Sequence, residues 1–208
     1  MSLKDILVIA TRNRGKTEEI RSLLGDQDAN IQNLDDFGPI PEIAEDGTNF
    51  EENAYKKASF AARVLGFPAM ADDSGLVVAA LNGAPGVFSA RYAGPSASDE
   101  DNCQKLLDNM ENIEDRRAAF ECIISIAVPG GSALTYEGRC EGEIIRQPAG
   151  TGGFGYDPVF FYPPLGKTFA ELEAVEKNRV SHRGQAQRQV AEEFGKIKTW
   201  IGQNMTIS

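Results

Sequence analysis

The sequence predicts an α/β fold with a mixed β-sheet, and three observations support this prediction. The apolar run Asp5–Ala10, a polar turn and the helical pattern Thr17–Leu24 form a strand–loop–helix unit. The extended runs Ala118–Val128 and Ala133–Arg146 flank the turn Pro129-Gly130-Gly131, which predicts a long antiparallel hairpin. Strict alternation of strand and helix is absent, so an all-parallel sheet is not expected.

Further helices are indicated by capping residues and apolar periodicity. The capping-box pattern Thr48-x-x-Glu51 opens a helix that ends at Gly66. The pattern Ser98-x-x-Asp101 starts another helix, and the last helix is expected from about Ser181 to Trp200.

Charge excludes several functional classes. The chain has 208 residues and a formal net charge of −10. Nucleic acids and anionic membranes both require a basic surface, so we expect neither as a partner. A small anionic ligand stays possible, because it needs only a local cluster of cations.

Cysteine use and hydropathy indicate a reduced compartment. Cys103, Cys122 and Cys140 contain no CxxC pair, so neither structural zinc nor a disulfide framework is expected. Met1–Lys4 lacks the apolar stretch of a signal peptide, and no segment approaches the ~20 apolar residues of a membrane span. We therefore expect a cytoplasmic protein, folded as a single domain over residues 1–208.

The stretch Ala10–Thr17 is the first candidate site. It lies between a strand and a helix, where backbone N–H groups point at an anion and Lys16 adds a charge. It nearly matches the phosphate-binding loop GxxxxGK[ST], with Ala10 in place of the first glycine. A phosphate site and a solvated turn with a surface lysine are both compatible with this stretch alone.

The acids of Asp72-Asp73-Ser74-Gly75 follow a predicted short strand, Ala69–Ala71. Neighbouring strand side chains point to opposite faces, so one acid can face a metal or water while the other holds the turn. Carboxylate oxygens suit Mg²⁺. Asp, Ser and Gly are also common turn residues, and a turn is the interpretation favoured for this stretch by itself.

The segment Gly150–Gly155 contains a literal GxGxxG. A dinucleotide-binding motif must follow a strand and open a helix, whereas Tyr156–Phe161 follows here, so we reject that function. Phe154 or Tyr156 could instead stack on a base. A wide turn with buried aromatic side chains is the competing interpretation.

The segment Glu176–Gly184 holds the only histidine, His182, beside Arg183, with Lys177 upstream. It is either a basic helix cap or a cluster of donors for an anion or a carbonyl. Ser-His-Asp hydrolysis is disfavoured because the chain has no GxSxG elbow.

Together and in this order, the motifs resemble the inosine triphosphate pyrophosphatase family, also called the Ham1 family, in its bacterial branch. The resemblance extends from about Ile6 to Trp200. It is carried by TxNxxK (Thr11–Lys16), Glu-x-Gly (Glu45–Gly47), DDSGL (Asp72–Leu76), GAPGVxSARY (Gly83–Tyr92), GTGGFGYDP (Gly150–Pro158) and EKNxVSHR (Glu176–Arg183).

The resemblance implies a two-lobed domain with a long mixed sheet flanked by helices, an active-site cleft between the lobes, and a homodimer. It implies a hydrolase that converts non-standard purine nucleoside triphosphates (dITP, ITP and XTP) to the monophosphate and pyrophosphate, cleansing the nucleotide pool. Water would attack the α-phosphorus, with Mg²⁺ as the cofactor and an aspartate as the base.

The same resemblance assigns roles to individual residues. Asp73 would be the catalytic base and, with Glu45, a metal ligand. Phe154 would stack on the purine, and Arg183 and backbone amides near Phe154 are the suspected donors to its 6-oxo group. The residues expected to bind the substrate are Thr11, Arg12, Asn13, Arg14, Gly15, Lys16, Ser74, Phe154, Gly155, Tyr156, Asp157, Lys177, His182 and Arg183.

Two other functions remain compatible with the sequence. A P-loop NTPase or kinase built on Ala10–Thr17 would release or transfer the terminal phosphate rather than release pyrophosphate. A catalytically silent nucleotide-binding module would bind the nucleotide and leave it unchanged.

Overall fold

The structure is a computed structural model that describes residues 6–12, 14–24, 30–41 and 43–205, with the backbone alone at 14–16 and 19. The strands are β1 (Ile6–Ile9), β2 (Asn30–Asn33), β3 (Ala69–Val78), β4 (Arg117–Ala127), β5 (Ala133–Ile144), β6 (Phe160–Tyr162) and β7 (Lys167–Thr168). The helices are α1 (Arg14–Leu24), α2 (Phe50–Leu65), α3 (Asp99–Asn109), α4 (Ala174–Val180) and α5 (His182–Asn204).

The predicted α/β class with a mixed sheet flanked by helices is confirmed. Within the described residues the sheet has seven strands in the order β2-β1-β3-β4-β5-β6-β7. β1 pairs in parallel with β2 and β3, whereas β6 pairs antiparallel with β5 and β7. Backbone bonds from Val128 N–H to Ser132 (3.0 Å) and from Ile144 N–H to Arg116 (2.9 Å) confirm the β4–β5 hairpin.

Contacts divide the chain into two compact units. Unit 1 takes its described residues from Met1–Asp73, Ile123–Glu137 and Ala186–Ser208, and unit 2 comprises Ser74–Cys122 and Gly138–Gln185. The single domain over residues 1–208 and the cleft between lobes stay predictions. Among the described residues, no helix combines the length and the apolar character that a membrane span requires.

In unit 1, α2 packs small side chains into the core. Ala54, Ala58, Ala61 and Ala62 are fully buried, and the last three share a cluster with residues of β1 and β3. The predicted capping box is wrong by one residue. Asn49 caps α2 by accepting from Glu52 N–H at 2.8 Å. Thr48 and Asn49 are both good caps, and the register that buries the alanine stripe decides between them.

In unit 2, the core is rich in aromatic side chains. The Phe160 ring lies 4.7 Å from the Phe120 ring and 4.8 Å from the Phe169 ring. Leu106 on α3 and Met110, which follows the end of α3, are fully buried in the same cluster. The predicted Ser98–Asp101 capping box opens α3 as expected.

One predicted boundary is wrong in a way that affects the site. The turn expected at Asp72–Gly75 is absent, and Ala69–Val78 runs as one continuous strand. The strand continues because the polar side chains at its centre, Asp73 and Ser74, have hydrogen-bond partners on other elements. The last helix, α5, begins at His182, close to the predicted start at about Ser181, and ends at Asn204 rather than at about Trp200. The separate helix α4, which precedes α5 and is joined to it at Ser181, is not among the helices predicted from the sequence.

Candidate active site

A carboxylate at the centre of β3 lies in a polar pocket of unit 1. Asp73 Oδ1 accepts from Lys57 Nζ at 3.0 Å, and its Oδ2 accepts from Asn53 Nδ2 at 3.1 Å. Lys57 Nζ also donates to Glu45 Oε1 at 2.7 Å. Asn53 and Lys57 are four residues apart on α2, so both point to the same strand.

Burial governs the electrostatics of this pocket. The side chains of Asp73 and Lys57 are only 13% and 14% exposed. Burial raises the pKa of Asp73, and the bonds from Lys57 and Asn53 counter this only in part. Burial lowers the pKa of Lys57, but Asp73 and Glu45 outweigh it, so the net shift is upward. The pocket therefore pairs a strengthened base with a lysine that keeps its charge.

The Glu45-x-Gly47 motif supports this arrangement. Gly47 N–H donates to Asn53 Oδ1 at 2.8 Å. A Cβ at Gly47 would lie 2.5 Å from that oxygen, so only glycine allows this approach. Since the Asn53 oxygen is taken by Gly47, its amide nitrogen is the atom that faces Asp73.

The predicted phosphate loop is only partly described. The helix α1 begins at Arg14, three residues before the predicted start at Thr17. The guanidinium of Arg12 donates to Ile40 C=O at 2.6 Å and lies 3.8 Å from Asp35. Asn13 and the side chains of residues 14–16 lie outside the described residues. Phosphate binding by Thr11–Lys16 stays a prediction.

In unit 2, the glycine-rich loop presents one exposed aromatic ring. Phe154 is 61% exposed. Lys177 Nζ lies 4.5 Å and the Arg183 guanidinium 5.6 Å from its ring centroid. Tyr156, the alternative stacking residue, is 3% exposed, and its hydroxyl donates to Ser89 C=O at 2.8 Å. Of the two aromatics, only Phe154 exposes its ring, and stacking of either on a base stays a prediction.

Beneath this ring lies a buried carboxylate. Asp157 Oδ2 accepts from Phe154 N–H at 2.8 Å and forms an ion pair with Lys177. Burial raises the pKa of Asp157, against the opposing effects of Lys177, the Phe154 amide and Arg183. Gly153 approaches so closely that a Cβ there would lie 1.9 Å from Asp157 Oδ2. The carboxylate therefore fixes the shape of the loop.

The α4–α5 junction places the remaining predicted residues of unit 2. Arg183 donates to Ser74 Oγ at 3.3 Å. The His182 ring is largely buried and stacks on Phe120 at 4.8 Å. A Cβ at Gly184 would lie 1.8 Å from Asn178 C=O, so glycine is required where α5 passes α4. No dinucleotide-binding helix follows Gly155, as predicted.

Comparison with known proteins gives the family. The model of the Ham1 family matches residues 7–193. The chain belongs to the Ham1 family. This Ham1 chain is 59% identical over 196 residues to a dITP/XTP pyrophosphatase of Syntrophobacter fumaroxidans, across 94% of the chain and 84% of the relative. It is 55% identical over 201 residues to that of Desulfotalea psychrophila, across 97% and 90%.

Solved Ham1 structures share the fold. A HAM1 protein from Coxiella burnetii has a TM-score of 0.89 and 45% identity, covering 92% of this chain and 98% of that one. The Ham1 protein of Staphylococcus aureus has a TM-score of 0.88 and 41% identity, covering 92% and 99%. The family resemblance and the fold class predicted from the sequence are both confirmed.

Sequence reasoning missed Asn53 and Lys57 in this Ham1 chain. A signal was available, because α2 carries an apolar stripe at Phe50, Ala54 and Ala61. Asn53 and Lys57 fall on the same stripe, where a polar residue needs a buried partner. The prediction from sequence rests on the apolar positions of this helix alone and names neither residue.

Proposed function

We propose that the chain hydrolyses the triphosphates of non-standard purines, dITP, XTP and ITP, to the monophosphate and pyrophosphate, and so cleanses the nucleotide pool. The observation that carries the proposal is the largely buried Asp73, which accepts hydrogen bonds from Lys57 and Asn53. Relatives of 59% and 55% identity bearing the name dITP/XTP pyrophosphatase support the substrate class.

The proposed reaction begins with water attack on the α-phosphorus. Asp73 takes the proton from the water, the new P–O bond forms, and the bond from the α-phosphorus to the bridging oxygen breaks. Pyrophosphate leaves with that oxygen. A raised pKa supports this role, because it makes the Asp73 carboxylate a stronger base than an ordinary aspartate.

The proposed cofactor is Mg²⁺, held by Asp73 and Glu45. One cation, the Lys57 ammonium, already lies within 3.0 Å of both carboxylates, so the pair can share a positive charge. Hard oxygen donors of this kind suit Mg²⁺, which usually takes one or two carboxylates plus substrate phosphates. Among the described residues, no group of three or more His, Cys, Asp or Glu is arranged around a metal position. When bound, Mg²⁺ would neutralise charge on the phosphates.

Base recognition is proposed for the loop around Phe154 in unit 2. The exposed ring offers a stacking surface, and Arg183 and Lys177 offer donors to a 6-oxo group. The amides of Phe154 and Gly155 already donate to Asp157 and Asp99, at 2.8 and 2.6 Å. We therefore favour the charged side chains over these amides as readers of the base.

Product analysis tests the proposed function. Purified protein with Mg²⁺ is given dITP, XTP, ATP or GTP, and the products are separated. We expect dITP and XTP to yield monophosphate and pyrophosphate, with ATP and GTP largely intact. Orthophosphate would favour a P-loop enzyme, and unchanged dITP despite binding would favour a silent module.

We also propose that the chain forms a homodimer, as the family resemblance implies. The β5 strand carries Arg139, Glu141 and Glu143 on exposed positions of unit 2, beside a groove of about 670 Å³. A second copy could cover this face with charges of both signs. Light scattering should give twice the 22.5 kDa chain mass, and the mass of a single chain would refute the dimer.

A cytoplasmic location is proposed as well. All three cysteines, Cys103, Cys122 and Cys140, are free and buried, which suits a reducing compartment. Fractionation of cells that express the full chain would test it, and recovery outside the cytoplasm would contradict it.

A further inference from the structure

Both backbone polar groups of Gly155, its N–H and its C=O, form hydrogen bonds with side chains of α3. Gly155 N–H donates to Asp99 Oδ2 at 2.6 Å, and Cys103 Sγ donates to Gly155 C=O at 3.4 Å. Asp99 and Cys103 are four residues apart, so both lie on one face of the helix. Burial raises the pKa of the Cys103 thiol to about 12, so the thiol keeps the proton that it donates.

This contact compensates for the freedom of the glycine. Gly155 has φ +60°, and a Cβ there would meet nothing within 4 Å. The position therefore requires glycine for its left-handed conformation and not for close packing. Because a glycine populates many conformations, an external partner must hold this one. The carboxylate of Asp99 supplies a charge-assisted bond to the peptide that joins Phe154 to Gly155.

The start of α3, where Asp99 lies, is stabilised by several hydrogen bonds. Its first turn is fixed by the Ser98–Asp101 capping box, with bonds of 2.9 and 3.1 Å. Asn102 accepts from Ala93 N–H at 2.8 Å, so α3 also holds the loop that follows β3. These bonds oppose fraying of the first turn of α3 and therefore keep Asp99 in position to bond to Gly155.

We propose that Asp99 is a positioning residue for base recognition, acting through the Gly155 amide to hold the Phe154 ring where it stacks on the purine. The inference rests on the proposed function, in which Phe154 contacts the base. Without Asp99, the peptide between Phe154 and Gly155 rotates more freely, and the ring must be ordered again each time a base binds. The cost falls on binding of the base and not on the chemical step.

Hydrogen exchange tests the contact independently of activity. We expect Asp99→Ala to speed exchange of the amides in residues 151–157, and Asp99→Asn, which keeps an acceptor oxygen, to restore most of the protection. Glu100→Ala is the matched control, because it removes an exposed acid from the same helix turn. Unchanged exchange in Asp99→Ala would overturn the proposal.

Steady-state kinetics with dITP tests the consequence. Asp99→Ala should raise KM roughly three- to tenfold with kcat nearly unchanged, since an exposed charge-assisted bond is lost. Deoxyribose triphosphate, which lacks a base, should show no change. In a Phe154→Ala background, Asp99→Ala should add no further loss, because both changes remove the same stacking contact.

Several outcomes would overturn the role of Asp99. These are an equal loss with the baseless substrate, a fall in kcat alone, or full additivity with Phe154→Ala. Failure of the proposed function appears differently, as absence of dITP cleavage by the wild-type chain. In that case the same comparison is made on the Kd of dITP, and an unchanged Kd in Asp99→Ala would refute the positioning role.

Discussion

The ammonium of Lys57 lies 3.0 Å from Asp73 Oδ1 and 2.7 Å from Glu45 Oε1. One buried lysine thus connects the proposed base to the second proposed metal ligand. A more exposed ion pair lies next to it in the sequence: Lys56, adjacent to Lys57, contacts Asp46, adjacent to Glu45, at 2.9 Å. This neighbouring pair offers matched controls for the buried pair.

Replacing Asp73 tests the base. Asp73→Asn keeps the shape and can still pair with Asn53, but it removes the proton acceptor. We expect pyrophosphate release from dITP to fall roughly 10²- to 10⁴-fold, the usual contribution of a general base, with an unchanged circular dichroism spectrum. Asp46→Asn should retain full activity. Near-normal turnover by Asp73→Asn would remove Asp73 from the mechanism.

Replacing Lys57 tests whether this lysine lowers the pKa of Asp73, through the pH dependence of the reaction. The base acts when deprotonated, so kcat/KM falls as pH drops through the Asp73 pKa, which lies above the ordinary aspartate value. Lys57 lowers that pKa, so Lys57→Met should raise it and move the acidic limb to higher pH. The pH profile of kcat/KM measures this shift. Lys56→Met should leave the acidic limb of the profile unchanged. A limb that moves to lower pH in Lys57→Met would contradict the expected rise in the Asp73 pKa.

Loss of the Phe154 ring should weaken nucleotide binding without unfolding the chain. Stacking of a base on an aromatic ring contributes about 1–3 kcal/mol, so Phe154→Ala should raise the Kd of dITP by roughly 5- to 150-fold. Titration calorimetry measures the change. Leu165→Ala removes another exposed apolar side chain of unit 2, 43% exposed, and should have no effect. Equal affinity in both variants would exclude stacking by Phe154.

Alanine substitution at two glycines distinguishes the cost of backbone strain from the cost of a steric clash with Asp157. Gly153 and Gly166 both have positive φ, +74° and +62°, so alanine at either position costs about 1–2 kcal/mol. Only at Gly153 would the Cβ also meet the Asp157 carboxylate. Urea denaturation should therefore show a larger loss of unfolding free energy for Gly153→Ala than for Gly166→Ala. Similar losses would mean that Asp157 moves aside at little cost.

The sequence predicts the fold class well because hydrophobic period and turn residues are local signals. The β4–β5 hairpin and the Ser98–Asp101 cap are confirmed for that reason. The same local reasoning fails at Asp72–Gly75, where turn-forming residues continue a strand. Their partners come from distant segments, and propensity contains no information about those contacts.

Only the motif residues of the proposed site could be named from the sequence. Asp73, Glu45 and Phe154 are assigned from the family resemblance, and the structure gives them neighbours consistent with these roles. Lys57 and Asp99 belong to no motif used for the prediction. Their importance arises from contacts across 16 and 56 residues of sequence, which single-sequence patterns do not report.

Hydrolysis of dITP in ¹⁸O-labelled water, with mass spectrometry of both products, tests the central claim most directly. Attack at the α-phosphorus places the labelled oxygen in the monophosphate and leaves the pyrophosphate unlabelled. The proposed mechanism predicts that outcome. Label in the pyrophosphate, or labelled orthophosphate, would show attack at another phosphorus and would contradict the assignment of Asp73 as the base for α-phosphorus hydrolysis.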